Sequence, residues 1–291
     1  MDHCFLSMNL VSFLYEPLSH GFMREAILMS SLVASVCGLL SSYLTLKGWA
    51  LMGDAVSHSV LPGVVVAYAL GLPFSLGAFV FGVGSVALIG FIKQKSRIKE
   101  DTVIGLVFTG FFALGIVLVS KIKSNKDLTS ILFGSPLGID FSDITQTVFI
   151  SILVVVLLLI FRKDLLLYCF DPRHAKTVGI NVIFLHYLLL TCLSLAAVVG
   201  LQSVGIILVV AMLVTPGATA YLLTDKFDKM VIISIISSVF SSIIGIYFSY
   251  WLEINTGGSI VLVQTFIFLF AFLFAPRYGI FKFKRLSMVS K

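Results

Sequence analysis

Charged residues are scarce in this sequence of 291 residues. They make up 12% of the chain, against 59% hydrophobic residues, whereas an average soluble domain has about 25% charged residues. This composition excludes an ordinary water-soluble globule. A helix needs about 20 apolar residues to cross the hydrocarbon core of a membrane. Segments of about that length or longer contain no Asp, Glu, Lys or Arg: 26–46, 102–120, 144–161, 177–224, 230–252 and 254–276.

Several motifs of catalysis and cofactor binding are also absent. The four cysteines lie in separate segments without C-x-x-C spacing, so we expect buried thiols rather than a zinc site or disulfides. The phosphate loop G-x-x-x-x-G-K-[ST] is missing, and so are H-E-x-x-H and G-x-S-x-G, which gives little support to an intramembrane enzyme. We expect a chain that is not an enzyme and binds no permanent cofactor.

The apolar runs predict an all-α, polytopic membrane protein. An outer-membrane barrel would alternate apolar and polar residues, whereas residues 152–161 are all apolar. When the runs are divided at Gly and Pro, they give about nine transmembrane helices, within a range of 8–10. These are 26–46, 51–70, 74–92, 102–120, 144–162, 181–200, 204–223, 230–250 and 259–276.

The distribution of Lys and Arg predicts the orientation. Basic residues favour the cytoplasmic side, and an odd number of spans places the two termini on opposite sides. With a cytoplasmic C-terminus, 16 of the 20 basic residues are cytoplasmic, and those outside are Arg24, Lys121, Lys123 and Lys126. We therefore predict an N-terminus outside and a C-terminus in the cytoplasm. The net charge of +6 then reflects topology and anionic membrane lipid, and no nucleic-acid binding is expected.

The chain is predicted to have three parts. Residues 1–25 lack the pattern of a secretory signal and predict an amphipathic, extracytoplasmic segment on the membrane surface. Residues 26–276 form a single transmembrane domain, within which 163–180 is a cytoplasmic segment. Residues 277–291 form a basic cytoplasmic tail.

An acid and a histidine lie together at the start of the second predicted span. Asp54 and His58 are four residues apart, so on a helix they share a face. Ionisable residues inside a membrane are costly and indicate function, and a carboxylate with an imidazole suits Mn²⁺, Fe²⁺ or Zn²⁺. Two ligands do not complete a coordination sphere, so other helices, a second copy of the chain or water must contribute. The alternative is that Asp54 caps the helix and His58 is its hydrogen-bonded neighbour.

Pro62 adds a further polar group at this level. A proline has no N–H, so within a helix it leaves the carbonyl of the residue four positions earlier, here His58, without its usual donor. That oxygen would be available to a cation or to water. Gly63 beside it permits a bend.

The sequence from Asp171 to Gly179 predicts a short capped helix. Asp171 is the predicted N-cap, Pro172 the first helical residue and Gly179 the C-cap. On the cytoplasmic face, such a helix offers a surface to a partner, and the alternative is a loop that only joins two spans. His186 and Gln264 lie within later spans, where they either line the pathway or bond to a neighbouring helix.

These motifs resemble a known family of transporters. The segment Met52-Gly-Asp-Ala-Val-Ser-His-Ser-Val-Leu-Pro-Gly63 is similar to the signature of permease subunits of ABC importers for manganese, zinc and iron, the ABC-3 family. Similar segments follow in the same order over about residues 20–280: Asp101–Leu106, Leu132–Gly134, Gln202–Ala220 and Gly258–Leu262.

The resemblance implies both residue roles and partners. It implies that Asp54 and His58 are metal ligands on the translocation path, and that Asp171, Ala175 and Gly179 dock into a cytoplasmic ABC ATPase. It also implies an extracytoplasmic metal-binding solute-binding protein and a second permease chain, identical or paralogous. The Leu-Pro-Gly ending is more similar to the manganese and iron importers than to the zinc branch, which favours Mn²⁺, with Fe²⁺ or Zn²⁺ as alternatives.

A second hypothesis is a proton-coupled secondary metal transporter of the cell membrane. In that mechanism Asp54 and His58 would exchange a proton for the metal. Such carriers usually contain inverted repeats with matching broken helices, and no second Asp-x-x-x-His occurs in the sequence. We therefore favour the ATP-driven importer.

Overall fold

The computed structural model describes residues 10–121, 141–275 and 279. All the regular structure in this part of the chain is helical, which confirms the predicted fold class. The helices, numbered in chain order, are α1 (Leu10–Ser19), α2 (Gly21–Lys47), α3 (Ala50–Leu70), α4 (Phe74–Lys95), α5 (Glu100–Lys121), α6 (Phe141–Ile160), α7 (Arg162–Phe170), α8 (Pro172–Thr177), α9 (Val182–Val204), α10 (Ile206–Leu223), α11 (Phe227–Leu252) and α12 (Thr256–Phe274).

The predicted spans coincide with these helices. Among the described residues, 7 helices are long and apolar enough to cross a membrane, and the bent pair of α6 and α7 raises the count to 8. The apolar part of α10, Leu208–Leu223, is shorter than these. The count of nine spans and the orientation of the termini therefore stay predictions. The predicted tail 277–291, apart from residue 279, and the segment Leu132–Gly134 lie outside the described residues.

Two boundaries differ from the predictions. Helix α2 begins at Gly21, inside the predicted surface segment 1–25, so Arg24 and Glu25 belong to the first turns of the helix. The predicted span 144–162 ends two residues early, at Ile160. The chain then turns by 71° before the next helix begins at Arg162. Charged residues are unfavourable in the hydrocarbon core, and α7 begins with three of them, Arg162, Lys163 and Asp164.

Two groups of helices form the bundle, and α9 joins them. Helix α2 packs against α10 and α11, while α3 packs against α4 and α5. Helix α9 contacts α2, α3, α4 and α6. Most of the buried side chains belong to one continuous apolar core that includes residues from both groups. The helix with Asp54 and His58 therefore has neighbours from both groups, since α3 also contacts α9, α10 and α2.

Small residues allow α3 and α4 to approach closely. A Cβ atom added to Gly63 or to Gly77 would overlap the backbone carbonyl oxygen of the other glycine. Such contacts between small residues let helix backbones come close together in membranes. Helix α3 continues as one element to Leu70, and Gly63 is the residue of α3 that permits this close packing.

A serine of α2 bonds to the backbone of α10 on both sides of Pro216. The Ser41 hydroxyl, from α2, donates to the Val214 carbonyl oxygen at 3.2 Å and accepts from the Gly217 N–H at 2.8 Å. Serine side chains are among the groups that bond to the backbone beside a proline in transmembrane helices. A Cβ atom at Gly217 would overlap the backbone of Ser41, so this bonding also requires a glycine.

The helix ends agree with one arrangement of the chain across the membrane. Residues Lys47, Lys93, Tyr168 and Val182 line one cavity, so the ends of α2 and α4 and the start of α9 lie on the same side of the bundle. The ion pair between Arg162 and Asp228 adds the starts of α7 and α11 to that side. These are the ends that the sequence predicts to be cytoplasmic.

A reporter experiment tests the predicted orientation. We expect a reporter that is active only in the cytoplasm to be active after residue 291 and inactive in the loop 71–73. The opposite pattern is expected for a reporter that is active only outside. An externally active reporter that works after residue 291 would contradict the assignment.

Candidate metal-binding site

Asp54 and His58 meet on one face of α3, as their spacing predicts. The distance from His58 Nε2 to Asp54 Oδ1 is 3.3 Å, and the side chains are 22% exposed for His58 and 35% for Asp54. The N-cap of α3 is Trp49, without a side-chain capping bond, and Asp54 lies about one turn inside the helix. Asp54 is therefore not the cap of α3, and a structural role for the hydrogen-bonded pair remains the alternative to metal binding.

Aromatic rings from α5 surround the imidazole. The centroid of the His58 ring lies 5.1 Å from that of Phe108 and 5.2 Å from that of Phe112, both in edge-to-face geometry. The two phenyl rings are stacked on each other at 6.0 Å. His58 Nδ1 is buried and has no hydrogen-bond partner among the described residues. These contacts restrict the ring, with Nε2 directed at Asp54.

Pro62 lies inside α3, at its contact with α5. A Cβ atom on Gly115 of α5 would lie 3.3 Å from Pro62 Cδ and 2.9 Å from Leu61 Cδ2, so a glycine at position 115 makes room for this part of α3. Because a proline has no N–H, the carbonyl of His58 lacks its usual intrahelical donor. The polar groups at this level are thus a carboxylate, an imidazole and a backbone carbonyl.

At this site one chain supplies two side chains of the types that bind transition metals, Asp54 and His58. Among the described residues, no group of three or more His, Cys, Asp or Glu side chains could hold a metal ion. Both Asp54 and His58 keep exposed surface, so ligands from outside the chain can reach them.

The capped helix of the sequence analysis is α8. Asp171 is its N-cap, and its Oδ1 accepts from the N–H groups of Arg173 at 2.9 Å and His174 at 3.0 Å. The bond from the His174 N–H holds the pKa of Asp171 below its usual range, and the bond from Arg173 adds to this effect. A lowered pKa means that the cap is fully formed above the ordinary pKa of an aspartate and is lost only when the pH falls below that range.

The C-terminal end of α8 forms a Schellman motif. The C-cap is Val178, one residue before the predicted Gly179. Gly179 follows with a φ of 87°, a value that favours glycine. The Ile180 N–H donates to the Ala175 carbonyl at 3.0 Å and the Gly179 N–H to the Lys176 carbonyl at 3.2 Å, which is the bonding pattern of this motif.

The residues proposed to contact the ATPase do not share one surface. Asp171 and Gly179 are exposed, whereas the Ala175 side chain is completely buried beneath α8. The exposed residues between the two caps are Arg173, His174, Lys176, Thr177 and Val178. The burial of Ala175 could not be predicted from hydrophobic periodicity, because α8 has only 6 residues, fewer than two helical turns.

The remaining sequence candidates have surroundings of their own. His186 Nδ1 is 2.9 Å from the Tyr168 hydroxyl, so it bonds to a neighbouring helix, one of the two alternatives considered. Gln264 is buried in α12, and neither polar atom of its amide has a hydrogen-bond partner among the described residues. Cys37, Cys169 and Cys192 are buried free thiols, as expected.

Known proteins are similar to this chain in sequence and in fold. Residues 19–275 match the model of the ABC 3 transport family. The chain is 55% identical over 267 residues to the manganese transport system membrane protein MntB of Synechocystis sp., which covers 92% of this chain and 87% of that protein. It is 45% identical over 268 residues to the chelated iron transport system membrane protein YfeD of Yersinia pestis, and this match covers 92% of this chain and 90% of that protein. The structure of PsaBC from Streptococcus pneumoniae in complex with Fab has a chain with a TM-score of 0.86 and 40% identity, with 95% of this chain and 100% of that chain covered.

Proposed function

The chain belongs to the ABC 3 transport family, and from this premise we propose that it is the permease subunit of an ATP-driven importer of Mn²⁺ in the cell membrane. The relatives are named as membrane proteins of manganese or iron transport. Fe²⁺ is therefore the first alternative substrate and Zn²⁺ the second. The observation that carries the proposal is the pairing of Asp54 with His58 at 3.3 Å inside a membrane helix.

The chemistry of this pair suits a transported ion. One carboxylate oxygen and one imidazole nitrogen match the preferences of Mn²⁺ and Fe²⁺. Two protein ligands bind a metal ion more weakly than a complete coordination shell does. Weak binding suits transport, because the ion must leave the site again. The aromatic contacts of His58 keep the imidazole in place while ions pass.

A second permease chain would add ligands to the site. Two copies around a twofold axis bring two Asp54 and two His58 side chains together, because a twofold axis doubles each group that lies near it. The partly exposed carboxylate and imidazole allow this arrangement. The family supports two further partners, a cytoplasmic ABC ATPase and an extracytoplasmic solute-binding protein. We propose that α8 contacts the ATPase.

Uptake of radioactive manganese tests the source of energy. We expect uptake to stop when the partner ATPase is inactivated while the proton gradient is intact, because this chain has no phosphate loop of its own. Uptake that continues under these conditions, and stops when a protonophore is added, would favour the proton-coupled mechanism instead.

The docking role of α8 is tested at its exposed surface. Val178 is the C-cap of α8 and its side chain is 59% exposed, so Val178→Asp changes the surface of α8 without filling a buried space and should weaken co-purification of the ATPase. Leu252→Asp is the matched control. Leu252 is 57% exposed and is the last residue of α11, whereas Asp228, which pairs with Arg162, lies in the first turn of that helix. Equal recovery of the ATPase with both variants would contradict the docking role.

Ala175 and Gly179 are expected to affect docking through the fold of α8. Ala175→Trp places a large side chain where the wild-type methyl group is buried. Gly179→Trp strains a backbone with a φ of 87°. Both variants should therefore release the ATPase by displacing α8, while Asp54 and His58 remain in place. Normal co-purification of the ATPase with either chain would contradict this expectation.

A further inference from the structure

A cavity separate from Asp54 and His58 lies at the predicted cytoplasmic ends of the helices. Its volume is about 270 Å³, and residues of α2, α3, α4, α7, α8 and α9 contribute to its walls. Several apolar side chains line it, among them Val86, Ile89 and Leu190. The cavity also contains two lysines, Lys47 and Lys93, which come from different helices.

Aromatic residues hold the first lysine at the cavity wall. Lys47 Nζ lies 4.0 Å from the centroid of the Tyr168 ring and 5.7 Å from that of Trp49, distances typical of cation–π contacts. It also donates to the Tyr168 carbonyl oxygen at 3.4 Å. The Tyr168 hydroxyl bonds to His186, which connects the wall to α9. The cationic side chain is thus held by a set of packed rings.

The second lysine adds charge of the same sign. Lys93 Nζ donates to the Ile98 carbonyl oxygen at 3.3 Å, at the end of α4. No Asp or Glu is among the described residues that line the cavity. The lining therefore combines positive charge with an apolar surface, and this combination matches an anionic amphiphile.

We propose that this cavity binds the phosphate headgroup of an anionic phospholipid from the cytoplasmic leaflet. The assignment of the leaflet rests on the orientation that the distribution of Lys and Arg predicts. Basic pockets between transmembrane helices on the cytoplasmic side bind anionic headgroups. Lys47 and Lys93 contact the phosphate. The acyl chains continue along exposed apolar residues, namely Ile183, which lines the cavity, and Phe91, which follows the lining residue Gly90 in α4.

A bound headgroup would connect the two functional parts of the chain. Trp49 precedes α3, the helix with Asp54, and Pro172 opens α8, and both residues line the cavity. A phosphate held between the lysines would hold the start of α8 and the start of α3 at the same cavity. The lipid would then favour the position of α8 that the ATPase recognises.

Two variants test the site by independent means. A Cβ atom on Gly90 would lie 3.6 Å from the Tyr187 hydroxyl oxygen and 3.9 Å from His186 Nε2, so Gly90→Phe fills the cavity without a backbone clash. Lys93→Ala removes a charge. Their controls lie on the same helix and outside the cavity: Gly84→Phe, where an added Cβ meets no atom within 4 Å, and Lys95→Ala, an exposed lysine.

Native mass spectrometry of the full chain, purified with its ATPase, measures the bound lipid. We expect wild type and both controls to retain phosphatidylglycerol in preference to phosphatidylcholine. Lys93→Ala should weaken binding of phosphatidylglycerol about fivefold, the effect of one basic residue at a membrane surface. Gly90→Phe should abolish it.

Three results would overturn the proposal. The first is equal retention of the two lipids by the wild-type chain, and the second is retention of phosphatidylglycerol by Gly90→Phe. The third is binding of inorganic phosphate alone without retention of phosphatidylglycerol, which would identify a site for the free anion. Manganese uptake is measured separately, so a chain that retains the lipid but transports no manganese would contradict the proposed function and leave the lipid site supported.

Discussion

Replacement of both Asp54 and His58 by alanine is expected to abolish manganese uptake while the permease still assembles with its partners. The two side chains supply the carboxylate oxygen and the imidazole nitrogen of the candidate site. Loss of a residue that only supports a metal ligand typically costs 10–100-fold. Each single variant should therefore lower uptake by at least about tenfold, and the double variant should lower it to background.

Assembly should survive because neither side chain is part of the main core. Both are partly exposed, and α3 is held mainly by its contacts with α4 and α5. Ser57→Ala is a suitable control, because its hydroxyl lies beside His58 in the sequence and bonds only to the Gly53 carbonyl of its own helix among the bonds described, at 2.8 Å. Radioactive manganese uptake and co-purification of the ATPase are measured on the same preparations.

The outcome separates a transport role from a structural one. If the double variant takes up manganese at the wild-type rate, the pair stabilises α3 and does not bind the ion. If the ATPase is lost together with uptake, the pair is needed for folding. Asp54→Asn then provides a second measurement, because the amide keeps the size of the side chain and removes its negative charge. Wild-type uptake by Asp54→Asn would contradict metal binding by the carboxylate.

The sequence predicts those features that depend on short segments. Runs without charge mark the spans because a charge inside the hydrocarbon core is costly, and α3, α4 and α5 coincide with the predicted 51–70, 74–92 and 102–120 within a few residues. The meeting of Asp54 with His58 follows from their spacing of four. The N-cap of α8 is likewise local, since Asp171 bonds to N–H groups two and three residues later.

Features that depend on distant residues are not visible in the sequence. Nothing near His58 indicates that Phe108 and Phe112 of α5 pack against its ring. The burial of Ala175 depends on how α8 lies on the bundle, and the bonding of Ser41 to the backbone beside Pro216 joins residues more than 170 positions apart. In an apolar chain almost every helix face is hydrophobic, so periodicity does not show which face is buried.

Helix α3 is also expected to depend strongly on a glycine of its neighbour α4. Gly77→Ala should destabilise the protein, because the added Cβ would overlap the Gly63 carbonyl oxygen and would lie 2.6 Å from the Ala67 Cβ. Extra carbon atoms in a well-packed core cost about 1–3 kcal/mol, and here the nearest obstacle is backbone, which cannot rotate away. For a chain of this size that cost corresponds to a fall in unfolding temperature of roughly 2–4 °C per kcal/mol.

The same helix offers a matched control for this substitution. An added Cβ at Gly84 meets no atom within 4 Å, and alanine favours helix formation over glycine. Gly84→Ala should therefore leave the thermal midpoint of the detergent-solubilised protein unchanged or raise it slightly. Combining Gly77→Ala with Ala67→Gly should restore the midpoint only in part, because this removes the contact with the Ala67 methyl group and leaves the Gly63 carbonyl in place. Equal midpoints for Gly77→Ala and Gly84→Ala would show that α3 and α4 can separate without cost, and that their close packing does not position Asp54 and His58.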